Sequence, residues 1–202
     1  MLLNSVEKEL EELLYQALVK DIDHIKQNFT QDNIIAYAVY CDSGFRSFGT
    51  AACTEKQLIT QSKELVEKEI QLNEESAQLY VATFAAEWDY YNDNKLNLFF
   101  KVNELNQKIV DADNEGKIIG VYKVGDFNYN LFFQFYVSII IKVLQKLKAS
   151  GLFSTVPFSK DTLLGLQFGS PDEDEREWIL QISEKLNSNA LHDKMIESYE
   201  IN

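Results

Sequence analysis

A chain of 202 residues with nineteen Lys and Arg against thirty-two Asp and Glu carries a formal net charge of −13. That sum repels the phosphates of nucleic acid and anionic lipid headgroups, and it steers in basic partners. Hydrophobic residues at 46% and charged residues at 25% are ordinary for a globular protein, and the length suits one domain, 1–202, that buries a core without staples.

Met1-Leu2-Leu3-Asn4-Ser5-Val6-Glu7-Lys8-Glu9 turns charged at once and does not read as a signal peptide. From Ser5 to Asn28, Val6, Leu10, Leu13, Leu14, Ala17, Leu18 and Ile25 recur at helical spacing, with acids in the early turns. Ile34–Cys41 is apolar on both alternating faces, which predicts a strand covered on two sides. Asp42-Ser43-Gly44 is a turn, after which Phe48–Cys53 returns to complete a hairpin. On that register Cys41 lies opposite a residue near Phe48 and not opposite Cys53. Two reduced, partly buried thiols follow, which fits a reducing, cytoplasmic compartment.

Thr54-Glu55-Lys56-Gln57 has capping-box spacing and opens a helix running to about Asn73. Leu79–Ala86 reads as a third strand, ending in Glu87-Trp88-Asp89-Tyr90-Tyr91. Leu96–Val110 is helical, and Ile118–Val124 reads as a short strand or an extended loop. The apolar run from Leu131 to Ile141 is too short to span a bilayer and belongs to a buried helix from Tyr129 to Ser150, stopped by Gly151. Thr162–Phe168 is a strand. Ser170-Pro171-Asp172-Glu173 places an N-cap serine, a proline at the first helical position, acids in the first turn and a capping box of Ser170 with Glu173 at the start of a helix to Leu186. A last helix covers Ala190–Tyr199. Strands and helices mix without a repeat, which predicts an α+β single domain with a mainly antiparallel central sheet and helices packed on it.

No cofactor or metal is expected from these motifs. His24 and His192 lack partners at metal-ligand spacing, and Gly116, Gly120 and Gly125 form neither a dinucleotide fingerprint nor a P-loop. No nucleophile elbow accompanies the serines, so no catalytic residue is assigned. Two acidic groups remain as candidates for contact with a partner. Glu87 and Asp89 flank Trp88 and, on a strand, share one face beside the aromatics Tyr90 and Tyr91. Asp172, Glu173, Asp174, Glu175 and Glu177 form the densest acidic run, which equally serves the positive end of a helix dipole. Trp88 and Trp178 are expected to pack inward.

Several segments in order resemble a bacterial family, domain-of-unknown-function family forty-three-oh-three. They are Ala36-Tyr37-Ala38-Val39-Tyr40 followed by Asp42, Ala51-Ala52-Cys53-Thr54-Glu55, Glu87-Trp88-Asp89-Tyr90, and Val102-Asn103-Glu104-Leu105. Further on come Gly151-Leu152-Phe153, Leu163 to Gln167, and Glu177-Trp178-Ile179-Leu180 leading to Leu186-Asn187. Cys53 departs from the pattern, which has Asn there. The resemblance spans nearly the whole chain and implies a cytoplasmic protein with no established enzymatic activity. Such families are sometimes encoded beside toxins, which implies an immunity role.

Together these readings predict a protein-binding module, most concretely an immunity protein that neutralises a basic toxin by direct binding. It would bind neither nucleic acid nor membrane. The alternatives are an acidic adaptor with another partner and a hydrolase working through carboxylates, which requires an Asp or Glu with a raised pKa in a concave pocket.

Overall fold

The computed structural model describes residues 3–68, 72–92, 97–117 and 129–200. At its centre is a four-stranded sheet in the order β3-β2-β1-β4, made of β1 (Ile34–Cys41), β2 (Phe48–Thr54), β3 (Tyr90–Asn92) and β4 (Leu163–Phe168). β1 is a central strand with both faces apolar, as its residues require. It pairs antiparallel with β2, placing Cys41 opposite Phe48 and Cys53 opposite Ala36. The expected mainly antiparallel sheet is instead mixed, because β4 pairs with β1 in parallel. The reason is the route of the chain. β4 follows a long helix, α5 (Tyr129–Ala149), and a crossover of that kind lets a strand re-enter beside β1 in the same direction.

The two sheet faces differ in side-chain size. Tyr37, Val39 and Cys41 of β1 lie on one face with Leu164, Leu166 and Phe168 of β4. That face is tied to α1 (Leu3–Asn28), which packs against α5 and against α4 (Phe100–Asn114). The other face presents Ala36, Ala38, Ala51 and Gly165, small enough for α3 (Glu74–Thr83) to lie close. There Gln167 Nε2 donates to Thr83 O at 2.7 Å. α2 (Glu55–Lys68) packs on α3, while α6 (Glu173–Leu186) lies along β4 and α7 (Asn189–Glu200) along α6. The side chain of Asn187 takes both backbone groups of Leu164, accepting from its N–H at 3.0 Å and donating to its carbonyl at 2.8 Å.

The segment expected to be a third strand, Leu79–Ala86, is instead the end of α3 followed by a 3-10 turn over Ala85–Glu87. Asn73 caps α3, its Oδ1 accepting from Ser76 N at 2.8 Å, and Glu74 and Glu75 occupy the first turn. The third strand begins only at Tyr90. α6 is capped two residues later than expected: Asp172 is the N-cap, and Asp172 with Glu175 forms the capping box in place of Ser170 and Glu173. α4 is shifted towards the C-terminus, ending at Asn114 rather than near Val110. Gly151, at φ +79°, ends α5 as its position predicts. The expected element at Ile118–Val124 lies outside the described residues. Among those residues no helix is long and apolar enough to cross a membrane.

Both cysteines are free and buried. Burial pushes the Cys41 thiol well up, helped by the carboxylates of Asp42 and Glu175. Burial first, then Asp89 and Asp32, push Cys53 to about 12. Since the thiolate is the reactive form, neither should react with an aromatic disulfide reagent in the native protein at pH 8, and both should react in denaturant. A thiol modified within minutes under native conditions would show that the hairpin opens.

Candidate functional site

The parallel pair sets up a cleft. β1 and β4 end side by side, with Cys41 opposite Phe168, so the loops that follow them emerge at the same edge. In open sheets that edge, beyond the carboxyl ends of parallel strands, is where ligands are commonly received. After β1 the chain turns through Gly44 at φ +76° and Phe45 at φ +57°. A left-handed conformation at a bulky residue costs free energy unless its surroundings hold it. Phe45 is fully buried, stacks on Tyr136 at 5.0 Å and 10°, and meets Phe168 edge-on at 5.3 Å. Asn106 of α4 donates to the carbonyls of Phe45 and Arg46 at 2.6 and 3.0 Å. Asn103 clamps Phe48 N and O at 2.8 and 3.0 Å.

Glu175 joins the two loops. It is 3% exposed, accepting from Gly44 N at 3.3 Å with Oε1 and from Asp172 N at 3.1 Å with Oε2. The cleft beside it has a volume of about 280 Å³. Trp178 and Phe133, stacked at 4.6 Å, form one wall. Asp113, Asp172, Asp174 and Glu175 supply carboxylates, and Arg46 is the one cation lining it among the described residues. Partial burial raises the pKa of Asp113 above the ordinary carboxylate value. No histidine or cysteine lines the cleft, and no group of three or more metal-ligating side chains occurs among the described residues.

The acidic run expected at this place is thus divided. Asp172 and Asp174 are exposed and line the cleft, whereas Glu173 and Glu177 are exposed on α6. Glu175 faces inward and is fully used in capping and in the bond to Gly44. The second expected group sits elsewhere, and none of it lines this cleft. Because the chain around Trp88 is not a strand, Glu87 and Asp89 do not share a strand face. Trp88 packs inward at 4% exposure, its Nε1 donating to Val81 O at 2.7 Å. Tyr90 and Tyr91 are half-buried rather than exposed, and both hydroxyls point into the protein: Tyr90 donates to Asp21, Tyr91 to the carbonyl of Ala85.

Asp21 is the residue that sequence reasoning missed. It is fully buried on α1 and accepts four hydrogen bonds, from Tyr37 and Thr50 at 2.9 and 2.7 Å on Oδ2, and from Tyr90 and Asn92 at 2.6 Å each on Oδ1. The donors come from β1, β2 and β3, so one carboxylate ties α1 to three strands. Burial, followed by the charge of Asp21, raises the pKa of Tyr37 and of Tyr90. The signal was present: Asp21 falls in the stripe Leu14, Leu18, Asp21, Ile25, where an apolar residue is expected. His24 lies 3.1 Å from Asn28 Nδ2 and beside the Tyr90 ring at 6.4 Å.

No curated protein and no solved structure gives a significant match to this chain. A family model does match, over residues 14–188, from the apolar stripe of α1 to the end of α6. That span contains every strand, the cleft and the Asp21 hub, and on it the chain belongs to the family described as domain of unknown function DUF4303.

Proposed function

We propose that this chain is a protein-binding module, an immunity protein that captures a cognate basic toxin in the cytoplasm and neutralises it by direct contact. The observation that carries the reading is the charge: a net −13, with exposed carboxylates of α6 at the mouth of a cleft that holds one guanidinium. Such a surface speeds the encounter with a cationic partner. Nucleic acid and anionic membranes are disfavoured by the same field. An adaptor with another basic partner differs only in the partner's identity.

The test is a pull-down with the product of the adjacent gene at low and at physiological salt. Stoichiometric binding that weakens as salt rises is expected, and reversing Glu173, Asp174 and Glu177 to lysine should slow association about tenfold or more. Unchanged affinity in the triple variant would remove this face from the interface. A second reading has one observation in its favour. Asp113, with its raised pKa, lies in a concave pocket, as a carboxylate hydrolase requires. That reading predicts a hydrolytic activity abolished by Asp113→Asn while partner binding is retained.

A further inference from the structure

A second groove lies between α1 and the start of α4 and shares no lining residue with the α6 cleft. Its volume is about 500 Å³, within the range of ligand-sized cavities. Leu13, Ala17 and Lys20 line it from α1, at spacings that put them on one helix face. Phe100, Lys101 and Val102 line it from α4. Ala17 and Val102 are buried, and the small side chain of Ala17 leaves room between the helices. Phe100 is 56% exposed, a large apolar ring that the fold leaves in water at the edge of the groove.

The charge of this groove runs against that of the chain. Acids outnumber bases thirty-two to nineteen overall, and four carboxylates line the α6 cleft. Among the described residues no Asp or Glu lines this groove, and Lys20 and Lys101, one from each helix, are its charges. Both lysines are exposed, and neither forms an ion pair with a described residue. α4 also begins without an acid in its first turn, so the chain itself does not offset the positive end of that helix. An apolar groove with two uncompensated cations is complementary to a ligand with an apolar body and an anionic end. The field of the whole chain limits how large that negative charge can be. A net −13 opposes a polyanion, an anionic membrane and a second copy of the chain far more than it opposes one carboxylate.

We propose that this groove binds a free aliphatic monocarboxylate, a fatty acid, with its carboxylate at Lys20 and Lys101 and its chain against Leu13, Ala17 and Phe100. The inference goes beyond the protein-binding reading and does not depend on it, since the two sites have no residue in common.

The experiment is a nitrogen-15 NMR titration of the intact chain with decanoate, kept below the concentration at which it forms micelles. Octanoate, decan-1-ol and acetate serve as controls at matched ionic strength. Saturable shifts of the backbone amides of Leu13, Ala17, Lys101 and Val102 are expected with decanoate. Octanoate, two methylenes shorter, should bind at least about threefold more weakly. Lys20→Gln and Lys101→Gln, at exposed positions, should each fold and weaken decanoate about threefold, and together about tenfold, the loss of two exposed ion pairs. Phe100→Ala should weaken it about threefold or more by removing apolar wall. Decan-1-ol binding as tightly as decanoate, or a double lysine variant that binds decanoate unchanged, would overturn the proposal. Acetate producing the same shifts would reduce the site to an adventitious ion only. The same shifts on raising the protein concentration without ligand would give the groove to a second copy. Shifts with phosphatidylglycerol vesicles and none with decanoate would give it to a membrane. Each of these three results also overturns the fatty-acid assignment, and none bears on capture of a basic partner at the α6 cleft.

Discussion

Replacing Asp21 with alanine is expected to destabilise the protein by about 3–5 kcal/mol, the range for removing one member of a buried charged network. The carboxylate accepts from Tyr37, Thr50, Tyr90 and Asn92, and all four donors lose their acceptor together. An unsatisfied buried donor costs about 1–3 kcal/mol on its own, so the sum is limited only by how far the site rehydrates. Against a typical domain stability of about 5–15 kcal/mol this is a large share. Asp21→Asn sharpens the argument. Its Oδ1 still accepts from Tyr90 and Asn92, and its Nδ2 can donate to the hydroxyl oxygens of Tyr37 and Thr50 once these turn. The loss should therefore be about 1–2 kcal/mol, that of a few charge-assisted bonds becoming neutral ones. Urea denaturation of the three proteins measures both values. An alanine variant within about 1 kcal/mol of the parent would mean that water replaces the carboxylate and that the hub is not what ties α1 to the sheet.

Trp178→Ala should cost a similar amount, about 3–5 kcal/mol, by the general cost of deleting a buried aromatic. Trp178 is 5% exposed, stacks on Phe133 at 4.6 Å and packs on Phe45 at 5.6 Å. Its loss opens a void beneath the cleft and frees Phe45, whose left-handed backbone is held by the rings around it. Phe at position 178 keeps one aromatic layer and should recover most of the stability. The readout is thermal unfolding. If Trp178→Ala lowers the melting temperature strongly while Trp178→Phe does not, the aromatic wall is structural before it is a contact surface. Near-equal melting temperatures for all three would show that the cleft collapses to fill the space.

Much of the fold was legible because local signals agreed with tertiary ones. Ile34–Cys41 has apolar residues on both faces and a turn directly after it, and it is the central β1. Gly151 stops α5 because a left-handed residue is needed where the helix ends. Leu79–Ala86 misled for an identifiable reason. Tyr80, Val81, Thr83 and Phe84 favour strands by type, but Asn73, where the expected helix from Thr54 ends, is the cap of the next helix. Its capping bond and the two acids after it decide the segment, and Thr83 Oγ1 bonds back to Leu79 O at 2.8 Å within the helix. Asp172–Glu177 was legible as a helix start. The reach of Glu175 to Gly44, 131 positions away, leaves no trace in local spacing. Asp21 was legible in principle, as the one charge in an apolar stripe. Gln57 was legible only as half of a capping box, and its second half went to the carbonyl of Glu87, which only the folded chain brings near.

The amide of Asn187 has a consequence for what the protein does when crowded. Among the described residues β4 is the last strand of its sheet, and an outermost strand with open N–H and C=O groups is a template on which another chain can add itself. Asn187 imitates the missing neighbour at Leu164, giving one acceptor and one donor where a foreign strand would have to begin pairing. The sheet is thereby kept from recruiting copies of its own chain. The same side chain that finishes α6 makes the edge of the sheet a poor place for aggregation to start.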